Sequence, residues 1–157
     1  MSSPFSTCIT EYLDAQQVNY RLLPHQRPAT TIIDAAQQRG IAPSQMAKSI
    51  LLRDMGNLYA LACVPGDQSV DPKKARAILQ CRRMTCVELS QVPEITGYQV
   101  GCVTPLLLKH PMAILMDHQL VTQKTITISS GHNMAGIALS SADLIQLCQP
   151  TLADLCR

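Results

Sequence analysis

The sequence predicts a single α/β domain over residues 1–157, with a mixed, mostly antiparallel sheet and helices around it. Three observations carry this expectation. Short apolar runs alternate with segments of helical period, two of those runs form a hairpin, and no linker, repeat or low-complexity stretch divides the chain. The hairpin argues against a doubly wound parallel sheet, whose strands need long crossovers. The 157 residues fit one domain of roughly 100–200 residues, and a chain of that size buries about 70% of its unfolded surface, enough for a core without disulfide or metal staples.

The elements follow in order. Ile9, Tyr12 and Leu13 at helical spacing predict a helix over Ser6–Gln17 with Ser6 or Thr7 as its cap. A short strand spans Tyr20–Leu23 and ends at Pro24. A second helix, Thr31–Arg39, carries Ile32, Ile33, Ala35 and Ala36 and stops at Gly40, a residue that accepts the left-handed conformation at helix ends. After the turn begun by Pro43, apolar runs at Met46–Arg53 and Leu58–Val64 flank Asp54-Met55-Gly56-Asn57 and form the hairpin. Asp71 as cap and Pro72 at the first position open a helix to about Gln80. Further strands are expected at Thr85–Val87, Met112–Met116, Thr125–Ser129 and Gly136–Leu139. Ser140, Ser141 and Asp143 then start a closing helix bearing Leu144, Ile145 and Leu147.

Composition removes several function classes. With 46% hydrophobic residues the chain is not intrinsically disordered. Its densest apolar windows, Leu106–Leu108 and Ala113–Met116, fall far short of the roughly 20 residues of a membrane span. Met1–Phe5 has neither the basic start nor the apolar stretch of a signal peptide. A cytoplasmic location and no membrane partner are therefore expected. Seven cysteines, an odd number with no export signal, are expected to be reduced and to pack as small hydrophobes. Cys81 and Cys86 have four intervening residues and no second pair downstream, so no zinc site is expected. His25, His110 and His118 have no metal-ligand spacing either.

Four features stand out for chemistry. Lys48 sits inside the apolar run Met46–Leu52; either its ammonium reaches a solvated edge, or it stands at a pocket mouth to bind a carbonyl or phosphate. The segment Thr96-Gly97-Tyr98-Gln99-Val100-Gly101-Cys102-Val103-Thr104-Pro105 is an ordinary turn or a glycine loop whose N–H groups hold an anion or carbonyl. It has neither the Gly-Lys-Ser/Thr ending of a P-loop nor a dinucleotide fingerprint. Ser129-Ser130-Gly131-His132-Asn133 is a polar turn or one wall of a polar pocket. Lys73, Lys74, Arg76, Arg82 and Arg83 gather positive charge on a chain of net charge +2, as a solvated helix face or a phosphate-backbone footprint. At 3% aromatics, base stacking along single strands is disfavoured, so RNA would be held by its backbone or an end.

The Lys48 strand, the helix after Val70-Asp71-Pro72-Lys73-Lys74, the Thr-Gly-Tyr-x-Val-Gly-x-Val-Thr-Pro segment and the late Ser-Gly turn occur in an order that resembles the YbaK/EbsC family. These are the free-standing relatives of the editing domain inserted in bacterial prolyl-tRNA synthetases, and the resemblance covers about Tyr20 to Leu155. It implies a trans-acting aminoacyl-tRNA deacylase that removes a small amino acid such as cysteine or alanine from proline tRNA. It implies no cofactor and no DNA partner, and prolyl-tRNA synthetase becomes a candidate partner. Lys48 matches the family's pocket lysine and Gly101–Pro105 its Gly-x-x-x-Pro loop. The expected catalytic residues are Lys48 and Gly101. The expected substrate-binding residues are Tyr20, His25, Cys102, Val103, Thr104, Pro105, Asp117, Ser129, Gly131 and His132, with the five basic residues above holding tRNA backbone. An ordinary lysine, with a pKa of about 10.4, is protonated at neutral pH, which favours an electrostatic role for Lys48 over general base catalysis.

Three positions depart from the relatives: Leu106–Leu108 follows the motif's proline where many have glycine, His132 stands in a turn that is often basic, and Ala47 precedes Lys48 where several have a larger residue. The amino acid removed stays open. A binding module of the same fold without turnover is the competing reading. A redox sensor using Cys102 is a third, and it requires an exposed thiol of low pKa.

Overall fold

Caps legible in the sequence set the helix ends. The computed structural model describes residues 5–157, so the reading of Met1–Pro4 lies outside the described residues. Thr7 caps α1 (Cys8–Ala15), its hydroxyl accepting from Ile9 and Thr10 N–H. Thr31 caps α2 (Ile32–Arg39), which ends at Gly40 in the left-handed region with φ +70°. Asp71 accepts from Lys73 N–H and Pro72 opens α3 (Pro72–Leu79). Ser140 caps α6 (Ser141–Cys148) through Asp143 N–H. Two shorter helices, α4 (Val92–Thr96) and α5 (His118–Val121), complete the set among the described residues.

The strands are β1 (Tyr20–Pro24), β2 (Ala47–Asp54), β3 (Tyr59–Pro65), β4 (Met84–Cys86), β5 (Ala113–Asp117), β6 (Thr125–Ser129), β7 (Ala135–Ser140) and β8 (Thr151–Ala153). They form two sheets rather than one: a five-stranded sheet in the order β4-β2-β3-β5-β8 and a three-stranded sheet in the order β1-β7-β6. The β2–β3 hairpin is antiparallel, as is β2–β4, whereas β3–β5 and β5–β8 are parallel. In the smaller sheet β7 pairs antiparallel with β1 and β6. The fold is thus α/β with mixed, mostly antiparallel pairing.

The sheets meet at a parallel bridge between Met46 and Thr127 and share a core. Leu51, Leu61, Cys63 and Met116 from the larger sheet pack with Ile126, Ile128, Ile137 and Leu139 from the smaller one. A second core lies on the other face of the five-stranded sheet. There Leu52, Ala60, Ala62, Val64 and Leu115 meet Ala75 of α3 and Leu155. Period-2 alternation along β2 explains both layers, since Leu51 faces one and Leu52 the other.

Candidate functional site

The short β4 leaves β2 partly uncovered. β4 pairs with β2 only over Leu52–Asp54, and Val87 N–H on the Leu51 carbonyl closes that ladder. Beyond it, the edge from Lys48 to Ile50 opens into a cavity of about 520 Å³, within the usual range of small-molecule sites, roughly 300–1,000 Å³. Its other walls are α2, the loop at Val100–Val103 and the turn at Ser129–Asn133.

Lys48 lines this cavity half-buried, opposite Val64 in the β2–β3 register. Its ammonium donates to the Gln68 carbonyl ahead of α3, which leaves further N–H donors for a ligand. Lys48 therefore stands at a strand edge that is also a pocket wall.

The glycine loop supplies the facing wall. Gly101 adopts φ +86°, a region that favours glycine, and Cys102 N–H donates to the Gln99 carbonyl to close the turn. Gly101 and Val103 both line the cavity, and neither N–H has a partner among the described residues. Tyr98 braces this loop from beneath. Its buried hydroxyl donates to the Leu106 carbonyl at 2.5 Å, and its ring packs so close to Gly131 that a Cβ there would sit 3.3 Å from Cε1.

The third wall is polar. Ser129 Oγ accepts from Gly131 N–H at 3.0 Å, and His132 Nδ1 accepts from Met134 N–H. His25 is buried, donating Nδ1–H to the Asn133 carbonyl at 2.8 Å. Burial pushes its pKa below the ordinary histidine value, the Asn133 bond opposes that shift, and the Arg39 cation reinforces it.

The family model for aminoacyl-tRNA editing domains matches residues 26–147, which include Lys48, the glycine loop and the Ser129–Asn133 turn. The chain belongs to the aminoacyl-tRNA editing domain family. Among its relatives, YwhH of Bacillus subtilis, described as uncharacterized, is 27% identical over 130 residues, covering 82% of each chain. A proline–tRNA ligase of Bacillus licheniformis is 32% identical over 93 residues, 59% of this chain but 16% of that enzyme. A solved structure described as a candidate trans-editing enzyme for prolyl-tRNA synthetase shares the fold at a TM-score of 0.84 and 22% identity, covering 100% of this chain and 99% of that one.

Within this editing-domain fold, the expected site residues fall into two groups. The cavity gathers Lys48, Gly101, Val103, Ser129, His132 and His25. The others do not line it. Tyr20 donates its hydroxyl to Asp14 at 2.9 Å. Asp117 is buried at the end of β5, where it accepts from Gln119 and Leu155 N–H; burial raises its pKa, but those bonds and Cys156 outweigh that and hold it low. Cys102, Thr104 and Pro105 turn inward under the loop, because the bend at Gly101 exposes backbone on one side and packs side chains on the other. The Thr104 hydroxyl is fully buried without a hydrogen-bond partner among the described residues. Gly131 meets Tyr98 rather than the cavity.

The redox reading of Cys102 is overturned, since its thiol is buried and burial raises its pKa. The basic cluster lies on and after α3. Lys74 is tied to Asp154 at 2.9 Å and to the Cys156 carbonyl, and Arg76 donates to the Cys81 carbonyl. Lys73, Arg82 and Arg83 are exposed. Sequence reasoning missed Arg39 as a cavity residue and Tyr98 as a brace. Arg39 reads as an ordinary cation in the last helical turn, whereas Tyr98 stood inside a motif already singled out. Among the described residues no three His, Cys, Asp or Glu side chains gather as a metal site requires.

Proposed function

We propose that this protein is a trans-editing deacylase that hydrolyses the ester of mischarged tRNA, with a small amino acid such as cysteine or alanine on proline tRNA as substrate. The observation that carries this reading is the meeting of Lys48 with the free N–H groups of Gly101 and Val103 around one cavity. Family membership supports the substrate class.

In this mechanism water adds to the ester carbonyl carbon, and the loop N–H groups hold the carbonyl oxygen as it gains negative charge. Such a donor is commonly worth about 3–4 kcal/mol. Lys48 orients the terminal ribose or carbonyl as a point charge. The ester C–O bond then breaks, one proton of the water passes to the leaving ribose oxygen and the other to solvent, and the amino acid departs as its carboxylate. Lys73, Arg82 and Arg83 are exposed cations available to tRNA phosphates. So small a footprint implies weak affinity for tRNA alone, which points to prolyl-tRNA synthetase as a delivery partner, and an aminoacyl-tRNA substrate would be met in the cytoplasm.

The test is hydrolysis of proline tRNA charged separately with cysteine, alanine, serine and threonine, by wild type and Lys48→Ala side by side. Lys48-dependent release from at least one is expected. No release from any, even with prolyl-tRNA synthetase added, would overturn the reading in favour of a binding module.

A further inference from the structure

Arg39 has no role in the mechanism above, yet two side chains and a glycine seat its guanidinium on the cavity wall. It ends α2, and its guanidinium crosses the three-stranded sheet. Its Nε–H donates to His25 Nε2 at 3.1 Å and its Nη1 donates to Thr127 Oγ1 at 3.2 Å. Between these two contacts it presses on Gly136 of β7, where a Cβ would lie 2.2 Å from Nε. All three strands of the sheet thus form its seat: His25 just after β1, Gly136 on β7 and Thr127 on β6.

The partners are neutral. A guanidinium only donates, so His25 Nε2 must be the unprotonated nitrogen, and Nδ1–H is then the donor to the Asn133 carbonyl. The ion pairs among the described residues join Arg27 to Asp34 and Lys74 to Asp154. Arg39 has no acidic partner among them. Burial lowers its pKa to about 10, which leaves it a cation at neutral pH.

A half-buried cation without a counter-ion is still costly, and an arginine that served only packing could be replaced by an apolar side chain. Here the charge is kept, turned by two neutral acceptors and given room by a glycine, on the wall of the cavity that holds Lys48 and Gly101. Of the five guanidinium N–H donors, two are used, and the rest form a planar fork suited to bidentate oxyanions.

We infer that Arg39 is an oxyanion subsite of this cavity, which takes a phosphate or carboxylate group of the ligand. Its geometry stands by itself, while the source of the anion rests on the editing reading. An aminoacyl ester with a neutral side chain has no free carboxylate, so the nearest anion in the substrate is the phosphate 5′ to the terminal ribose. After hydrolysis the released amino acid offers a carboxylate instead.

The experiment titrates the protein with adenosine, adenosine 5′-monophosphate and free alanine by calorimetry, for wild type, Arg39→Met and Gly136→Ala. The second variant keeps the charge but drives the guanidinium from its seat, so it serves even where the first does not fold. The monophosphate is expected to bind wild type at least about tenfold tighter than adenosine, and that preference is expected to shrink to within about twofold in both variants. Alanine binding with the same Arg39 dependence would assign the subsite to the carboxylate. Equal affinity for adenosine and its monophosphate, with no Arg39 dependence for alanine, would overturn the inference. Because no turnover is involved, this failure is separate from failure of the deacylation assay.

Discussion

Replacing Gly101 by alanine separates backbone strain from catalysis. Gly101 holds φ +86°, and a Cβ there would meet nothing within 4 Å, so the substitution causes no clash and its cost is conformational. For an L-residue that cost is roughly 1–2 kcal/mol, about 2–8 °C in Tm for a chain of this size. Gly40 provides a matched control. It too has a left-handed φ, +70°, and open space around its Cβ position, but it closes α2 outside the cavity lining. Both variants are expected to lose similar stability in thermal melts. Deacylation should divide them: a Gly101→Ala loop that relaxes its strain turns its N–H groups away from the ester, and losing one such donor slows turnover by about 10²–10³. Gly40→Ala is expected to keep its rate. If Gly101→Ala hydrolysed as fast as Gly40→Ala at equal stability, the loop N–H groups would not be the oxyanion donors.

Other perturbations read other parts of the molecule. Thr104→Val removes a buried hydroxyl without a partner, so stability is expected to hold or rise by up to about 1–3 kcal/mol with unchanged deacylation; a loss of activity would make Thr104 a substrate contact after all. Asp117→Ala orphans the N–H groups of Gln119 and Leu155 and is expected to cost about 2–4 kcal/mol in urea unfolding, with KM for the aminoacyl-tRNA unchanged if the role is structural. The folded pKa of His25 lies below its unfolded value of about 6.5, so the unfolded chain takes up the proton first. Stability is therefore complete above about pH 6.5 and falls as pH drops through the folded pKa; a flat urea midpoint between pH 7.5 and 5.5 would refute this. Lys73→Ala is expected to weaken tRNA binding and flatten its salt dependence more than Lys74→Ala, because Lys74 is already held by Asp154 and Cys156; equal effects would contradict that division.

Features with local causes were legible in the sequence. The Asp71-Pro72 helix start, the Gly40 stop, the Ser140 cap and the β2–β3 hairpin each rest on a few adjacent residues, and the structure has all of them. Partition into two sheets was not legible, because Tyr20–Pro24 and Ala113–Asp117 are apolar strands of the same kind and nothing local says that one joins β7 and the other β3. β8 was missed because three residues cannot show a period. Two of them, Leu152 and Ala153, belong to a segment whose place is set by Asp117, 38 residues earlier in the chain, through Leu155 N–H.

The site followed the same division. Lys48 and Gly101 were found because each breaks a local pattern, a cation in an apolar strand and a glycine where a loop must bend. Asp117, Cys102 and Thr104 were expected in the site from the family resemblance, but which way each side chain faces is set by the fold: Cys102 and Thr104 pack beneath the bend at Gly101, and Asp117 is held at the end of β5 by Gln119 and Leu155 N–H. Arg39 was invisible for the opposite reason. At the end of a helix an arginine breaks no rule, and its meaning comes from Gly136 and Thr127, nearly a hundred residues away, which turn it across a sheet. The cavity itself arises from a mismatch in length: β2 runs from Ala47 to Asp54, and β4 covers only its last three residues. Had β4 continued along β2, Lys48 would lie beside a filled edge and the glycine loop would have nothing to face.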